Sequence, residues 1–207
     1  MESRAQEILR TLSSRVRVLS TDQVSRGWWS ETRWGLCRAK ECLWGLASSQ
    51  FLVMQSVLSR RIVKLPRPLT RWSCGDATPP FLQLAKILHK RAKAAPVTTT
   101  VVWATPKCIA LFGTGRRPTL KITQMTHDLQ VSEVFLGLTE NGLPVEQWLG
   151  EDHLPTSWPA SVRPDALLVD DDAKPIRAIE YGGDYSAKRL SALHDGFASI
   201  ELDYELW

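Results

Sequence analysis

At 207 residues, 43% of them hydrophobic and 23% charged, the chain can bury one sizeable core or two small ones and is expected to be globular rather than disordered. Its longest apolar runs, such as 101–104 and 109–112, are far too short to span a bilayer, and Glu2 and Arg4 precede any apolar block, so a soluble, untargeted, cytoplasmic protein is expected. The formal charge of +4 conceals an asymmetry: residues 1–121 carry 21 Lys and Arg against 6 Asp and Glu, whereas residues 122–207 carry 5 against 16.

That division points to a basic module meeting a polyanion and an acidic module doing something else, with domains expected over 1–121 and 122–207. Two domains attracting each other through opposite charge would produce the same numbers, and both can hold at once.

From the amino terminus, Ile8, Leu9, Leu12, Val16 and Leu19 recur at helical spacing while Arg4, Arg10, Arg15 and Arg17 stay off that stripe, which predicts an amphipathic first helix. Ser20 followed by Gln23 reads as a capping box opening a short second helix that stops near Gly27. Ser30 is expected to open a third helix, with Leu36, Ala39, Leu43, Leu46 and Ala47 on one face and Arg33, Arg38 and Lys40 away from it. Three helices with tight turns make a helix-turn-helix candidate.

A β-prone segment at 51–58 could pair back with 69–73, leaving Arg60, Arg61, Lys64 and Arg67 on a basic wing. A winged helix-turn-helix places its third helix in the major groove and its wing on the flanking backbone, so Arg33, Arg38, Lys40 and the wing residues are the candidate DNA contacts. Five of the nine tryptophans, Trp28, Trp29, Trp34, Trp44 and Trp72, fall between residues 28 and 72 and read first as core anchors and second as stacking platforms for bases.

After Pro79 and Pro80, Phe81, Leu84, Ala85 and Leu88 predict a helix ending in Lys90, Arg91 and Lys93, read as a connecting or dimer helix. A β-branched strand follows, then a short helix with Thr105 as N-cap, Pro106 at its first position and Gly113 as terminator. Residues 114–121 read as the linker.

In the acidic half, Leu129, Val131, Val134, Phe135 and Leu138 predict a helix from about Thr126. Strand candidates follow in "VEQWLGED", "RPDALLVDDDAKPIRAIEYGG" and the terminal "DYELW", with a turn over 170–175 and a helix from Tyr185 to about Ala198. The whole is an α/β (α+β) fold. Four cysteines without a Cys-x-x-Cys pair, and four scattered histidines, favour reduced thiols over a zinc site.

The spacing of "RPDALLV", a turn, "IRAIEYGG" and a following helix resembles the PD-(D/E)xK restriction-endonuclease-like core. The "THDLQVSEVF" helix after a winged module resembles the replication-relaxation family of plasmid and mobile-element proteins, and the resemblance covers nearly the whole chain. It implies a role in replication, mobilisation or transcriptional control of a mobile element, association with nucleoid or plasmid, and DNA and a relaxase or replication protein as partners; the winged reading adds a homodimer, since such modules often read paired half-sites.

By the same resemblance, Asp165 and Glu180 are the catalytic and metal-binding acids, with Glu133 as an additional acid and Mg²⁺ or Mn²⁺ as the cofactor. The lysine of that motif is replaced by Gly182, and Lys188 on the next helix is the candidate substitute. Three arrangements are open from the residues: a degenerate nuclease fold kept for binding, an active metal-dependent endonuclease using Lys188, or an unrelated sheet whose strands merely end in Asp165 and Glu180.

Overall fold

The computed structural model describes residues 3–113 and 120–207. In chain order the elements are α1 (Arg4–Ser14), β1 (Leu19–Ser20), α2 (Thr21–Trp28), α3 (Arg33–Ser48), β2 (Leu52–Arg60), β3 (Thr70–Trp72), α4 (Phe81–Ala92), β4 (Pro96–Ala104), α5 (Pro106–Phe112), α6 (Met125–Glu140), β5 (Trp148–Gly150), β6 (Ala166–Val169), β7 (Pro175–Glu180), α7 (Ala187–Ser199) and β8 (Tyr204–Leu206). The fold is mixed α and β, in two compact units, and both units are discontinuous in sequence. Residues 1–63 and 96–142 form the first, and residues 64–95 and 143–207 the second. This differs from the expected division at 121/122, and most of the expected linker, 114–119, lies outside the described residues.

The first unit is built on local signals that sequence reading locates well. Ser20 accepts from the Gln23 N–H at 3.1 Å while the Gln23 side chain accepts from the Ser20 N–H at 2.9 Å, closing the expected capping box of α2. Ser3 and Gln6 make the same box for α1. The cap of α3 is Thr32, not Ser30, because Ser30 is used in the turn: its carbonyl accepts from Ser25 Oγ. A Cβ on Gly35 would sit 2.3 Å from the Ser30 carbonyl oxygen, so only glycine lets the chain between α2 and α3 fold back this tightly.

β2 does not pair with the 69–73 segment. It runs antiparallel to β4 over nine residues, from Leu52 opposite Ala104 to Arg60 opposite Pro96, and β1 adds on the far side to give the order β1-β4-β2. The β-branched run of β4 offers nine partners where β3 offers three, and the longer register wins. Residues 61–95 therefore leave and re-enter between the two arms of one hairpin. Val57 and Val101 from the hairpin, Val18, and Met125 and Leu129 from α6 make the core on that face.

In the second unit the sheet order is β3-β8-β7-β6-β5. β5, β6 and β7 form an antiparallel meander, α7 crosses over, and β8 returns parallel to β7. Asp170 accepts from the N–H groups of Asp172 and Lys174, making the expected turn between β6 and β7. The core is Trp72, Leu167, Val169, Ala178, Phe197 and Tyr204. α4, read from sequence as a connecting or dimer helix, instead buries Leu84 and Leu88 against Leu190 of α7 and Leu206 of β8. Among the described residues no helix is long and apolar enough to cross a membrane.

Candidate functional site

Two arrangements bear on function, one in each unit. In the second unit, β6 and β7 pair with Ala166 opposite Ile179. Continuing that antiparallel register by one residue puts Asp165 opposite Glu180, a spacing at which side chains on one face meet. The structure thus brings together the two acids that the sequence singles out.

Their surroundings are already occupied. Asp165 Oδ2 accepts from the Tyr181 N–H at 2.7 Å, and Glu180 Oε1 accepts from the Tyr185 hydroxyl at 2.8 Å. Glu180 is 5% exposed. Burial, and then the neighbouring charges of Glu180 and Asp165, hold the Tyr185 phenol far above its usual range, so it is a fixed proton donor and not a base. The Arg189 guanidinium stacks 4.0 Å from the centre of the Tyr185 ring. Sequence reasoning passed over both residues; the only signal was a tyrosine five positions after the acid.

Where the nuclease motif has its lysine, there is no room for a side chain. A Cβ on Gly182 would meet both Leu88 methyl groups at 2.7 Å and a Leu206 methyl at 3.1 Å. Leu88 is itself fully buried, so α4 packs into the volume a lysine would need. Lys188 is exposed in the first turn of α7, with no hydrogen bond or ion pair to either carboxylate.

Glu133 lies in the first unit, where Arg26 Nη2 reaches its two oxygens at 2.9 and 2.8 Å and Gln23 Nε2 donates to it at 3.0 Å. Among the described residues no group of three or more His, Cys, Asp or Glu side chains is placed to hold a metal ion. His194 is a core residue, with Nδ1 3.2 Å from the Tyr204 hydroxyl and its ring 4.8 Å from that of Trp72. The four cysteines are free thiols.

In the first unit the notable surface is α3. Gly35, Ala39 and Leu43 face inward, and Arg33, Arg38 and Lys40 are exposed. Trp34 and Trp44 are 64% and 61% exposed, so these two are not core anchors. Arg38 Nη1 reaches Glu41 at 2.6 Å, an exposed pair one turn apart that contributes little to stability. Arg60 ends β2 and Arg61 follows it, both exposed, whereas Lys64 and Arg67, also exposed, belong to the second unit.

The expected wing set is thus divided between the units, and the charge asymmetry shrinks. The first unit carries 14 Lys and Arg against 8 Asp and Glu, and the second 12 against 14. A third of the Lys and Arg of the sequence's basic half, 7 of 21, lie in the 64–95 segment, which folds with the acidic carboxyl-terminal region; Arg71, for instance, donates to Glu205 at 2.8 Å. Comparison with protein-family models, with curated proteins and with solved structures gives no match.

Proposed function

We propose that this protein is a DNA-binding accessory or regulatory factor whose first unit is a winged helix-turn-helix and whose second unit is a nuclease-like domain without cleavage activity. The observation that carries the binding half is α3, whose inner face is Gly35, Ala39 and Leu43 and whose outer face presents Arg33, Arg38 and Lys40. Three helices, the strand order β1-β4-β2 and the long β2/β4 pairing support a winged reading, in which this helix would be the one offered to nucleic acid. Phosphate neutralisation supplies the affinity, so the binding constant should fall steeply with salt.

The antiparallel meander, helical crossover and parallel return of the second unit support a restriction-endonuclease-like reading, with Asp165 opposite Glu180 at the ends of neighbouring strands. The packing of Leu88 over Gly182 and the Tyr185 hydrogen bond on Glu180 support an inert site. An active metal-dependent endonuclease is the second reading, favoured only by the opposition of the two acids. The sequence resemblance extends the proposal to replication, mobilisation or transcriptional control of a mobile element, with a relaxase or replication protein as partner.

The test is a salt series of plasmid binding with the protein and with its Arg33→Glu, Arg38→Glu and Lys40→Glu variants. Affinity falling linearly in log salt, and a slope shallower by about one for each reversed contact, is the expected result. Binding that is absent or independent of salt contradicts it.

A further inference from the structure

Two large indoles lie open on a helix whose inner face is already filled. Trp34 and Trp44 are 64% and 61% exposed, while Trp72, Trp148 and Trp207 are almost wholly buried. A lone exposed apolar residue needs no explanation, but two tryptophans on one short surface do.

At about 100° per residue, Arg33, Lys40 and Trp44 fall on one stripe of α3, and Trp34, Arg38 and Glu41 on the adjoining one. The two indoles are separated by about 15 Å along the helix axis. Arg33, Arg38 and Lys40 lie between or beside them, and the one acid on this face, Glu41, is held by Arg38.

This arrangement is poorly suited to reading base edges in a duplex. Indole offers a single N–H donor and no acceptor, whereas edge recognition relies on bidentate Arg, Asn or Gln. The centre of a protein interface enriches Trp and Arg but depletes Lys and Glu, so Lys40 and Glu41 among the indoles set this face apart from one. Flat π faces set among cations match one ligand chemistry well: unstacked bases on a continuous phosphate backbone.

We infer that the exposed face of α3 binds single-stranded nucleic acid, with Trp34 and Trp44 as stacking platforms and Arg33, Arg38 and Lys40 on the phosphates. This rests on the nucleic-acid reading of α3 and specifies its ligand. Stacking needs no particular base, so the preference is for unpaired strands and not for one sequence.

The experiment measures fluorescence anisotropy of labelled oligothymidylate, oligouridylate and a self-complementary DNA hairpin, each of about 20 nucleotides, against the full chain and its Trp34→Ala, Trp44→Ala and Trp34→Phe variants. The inference expects single strands to bind at least tenfold tighter than the hairpin. Each Ala change should weaken single-strand binding about tenfold, with Trp34→Phe recovering part of the loss. Because both indoles are exposed, the thermal midpoints of the variants should stay near that of the parent, which separates lost stacking from lost folding. The ratio of the thymidylate and uridylate affinities assigns the strand to DNA or RNA. Hairpin binding equal to or tighter than single-strand binding, or Ala variants indistinguishable from the parent, overturns the inference while leaving DNA binding by α3 standing. No binding to any of the three probes overturns both.

Discussion

Glu133 and Glu180 are both buried carboxylates, one in each unit, at 4% and 5% exposure. Glu133 is settled by opposite charge: Arg26 grips both its oxygens, and although burial works against the Arg26 cation, the Glu133 and Glu140 hydrogen bonds and charges raise its pKa on balance. Glu180 Oε1, by contrast, accepts from the neutral hydroxyl of Tyr185. A carboxylate locked to a guanidinium belongs to the scaffold. Glu180 instead ends a strand opposite a second acid, with leucine methyls packed where a side chain at position 182 would lie.

The largest effect is expected where that contrast is sharpest. Glu133→Ala leaves the Arg26 guanidinium without its main partner in a site only 15% exposed, and should cost about 3 kcal/mol of unfolding free energy, read by urea denaturation. Replacing both partners by Met and Leu should recover much of that loss; an unchanged midpoint in Glu133→Ala would deny the pair its structural role. Gly182→Lys comes next. Restoring the motif lysine forces an ammonium and its stem into the space held by Leu88 and Leu206, at a cost of about 2 kcal/mol, and should confer no cleavage. Metal-dependent cutting by this variant would show that the site lacks only its cation.

Smaller effects follow on the surface. Arg38→Glu should weaken plasmid binding about tenfold near physiological salt and leave stability almost unchanged, since its partner Glu41 is exposed. The smallest change is expected at Asp203. Burial tends to raise its pKa, but hydrogen bonds from Ser73 and the Cys74 N–H, together with Arg177, hold it below the ordinary value. A depressed carboxylate contributes stability that is present above its unfolded pKa of about 4 and is lost as pH falls through the lower folded value. Asp203→Asn should therefore lower stability slightly at neutral pH, where the carboxylate's contribution is fully present, and flatten the acid limb, the gap to the parent closing as pH falls below the folded value.

What could be read from sequence was local or periodic. The Ser20–Gln23 box, the Thr105 cap with Pro106 behind it, and the apolar stripes of α1, α3 and α6 are each specified within a few residues. Asp165 and Glu180 were singled out through the resemblance; their opposition depends on a bulge between Leu168 and Val169, since the register at the turn alone would set Asp165 opposite Ile179. The rest depended on distant partners. Nothing near β2 says that its mate is β4 and not β3, or that α4 fills the space over Gly182. Arg26 finds Glu133 across 107 residues, and for that reason an acid on a helix face looked available for metal. The charge asymmetry misled for the same reason, since the basic 64–95 segment folds with the acidic end of the chain.

On the proposed function, this chain binds DNA with a nuclease-like site that does not cut. Supercoiled plasmid incubated with the parent and with Glu180→Ala, each with Mn²⁺ and with chelator, tests it most directly. Retarded but intact plasmid in all four reactions is the predicted result. Nicked or linear plasmid from the parent with Mn²⁺ alone, abolished by Glu180→Ala, would contradict it and make Glu180 a working acid.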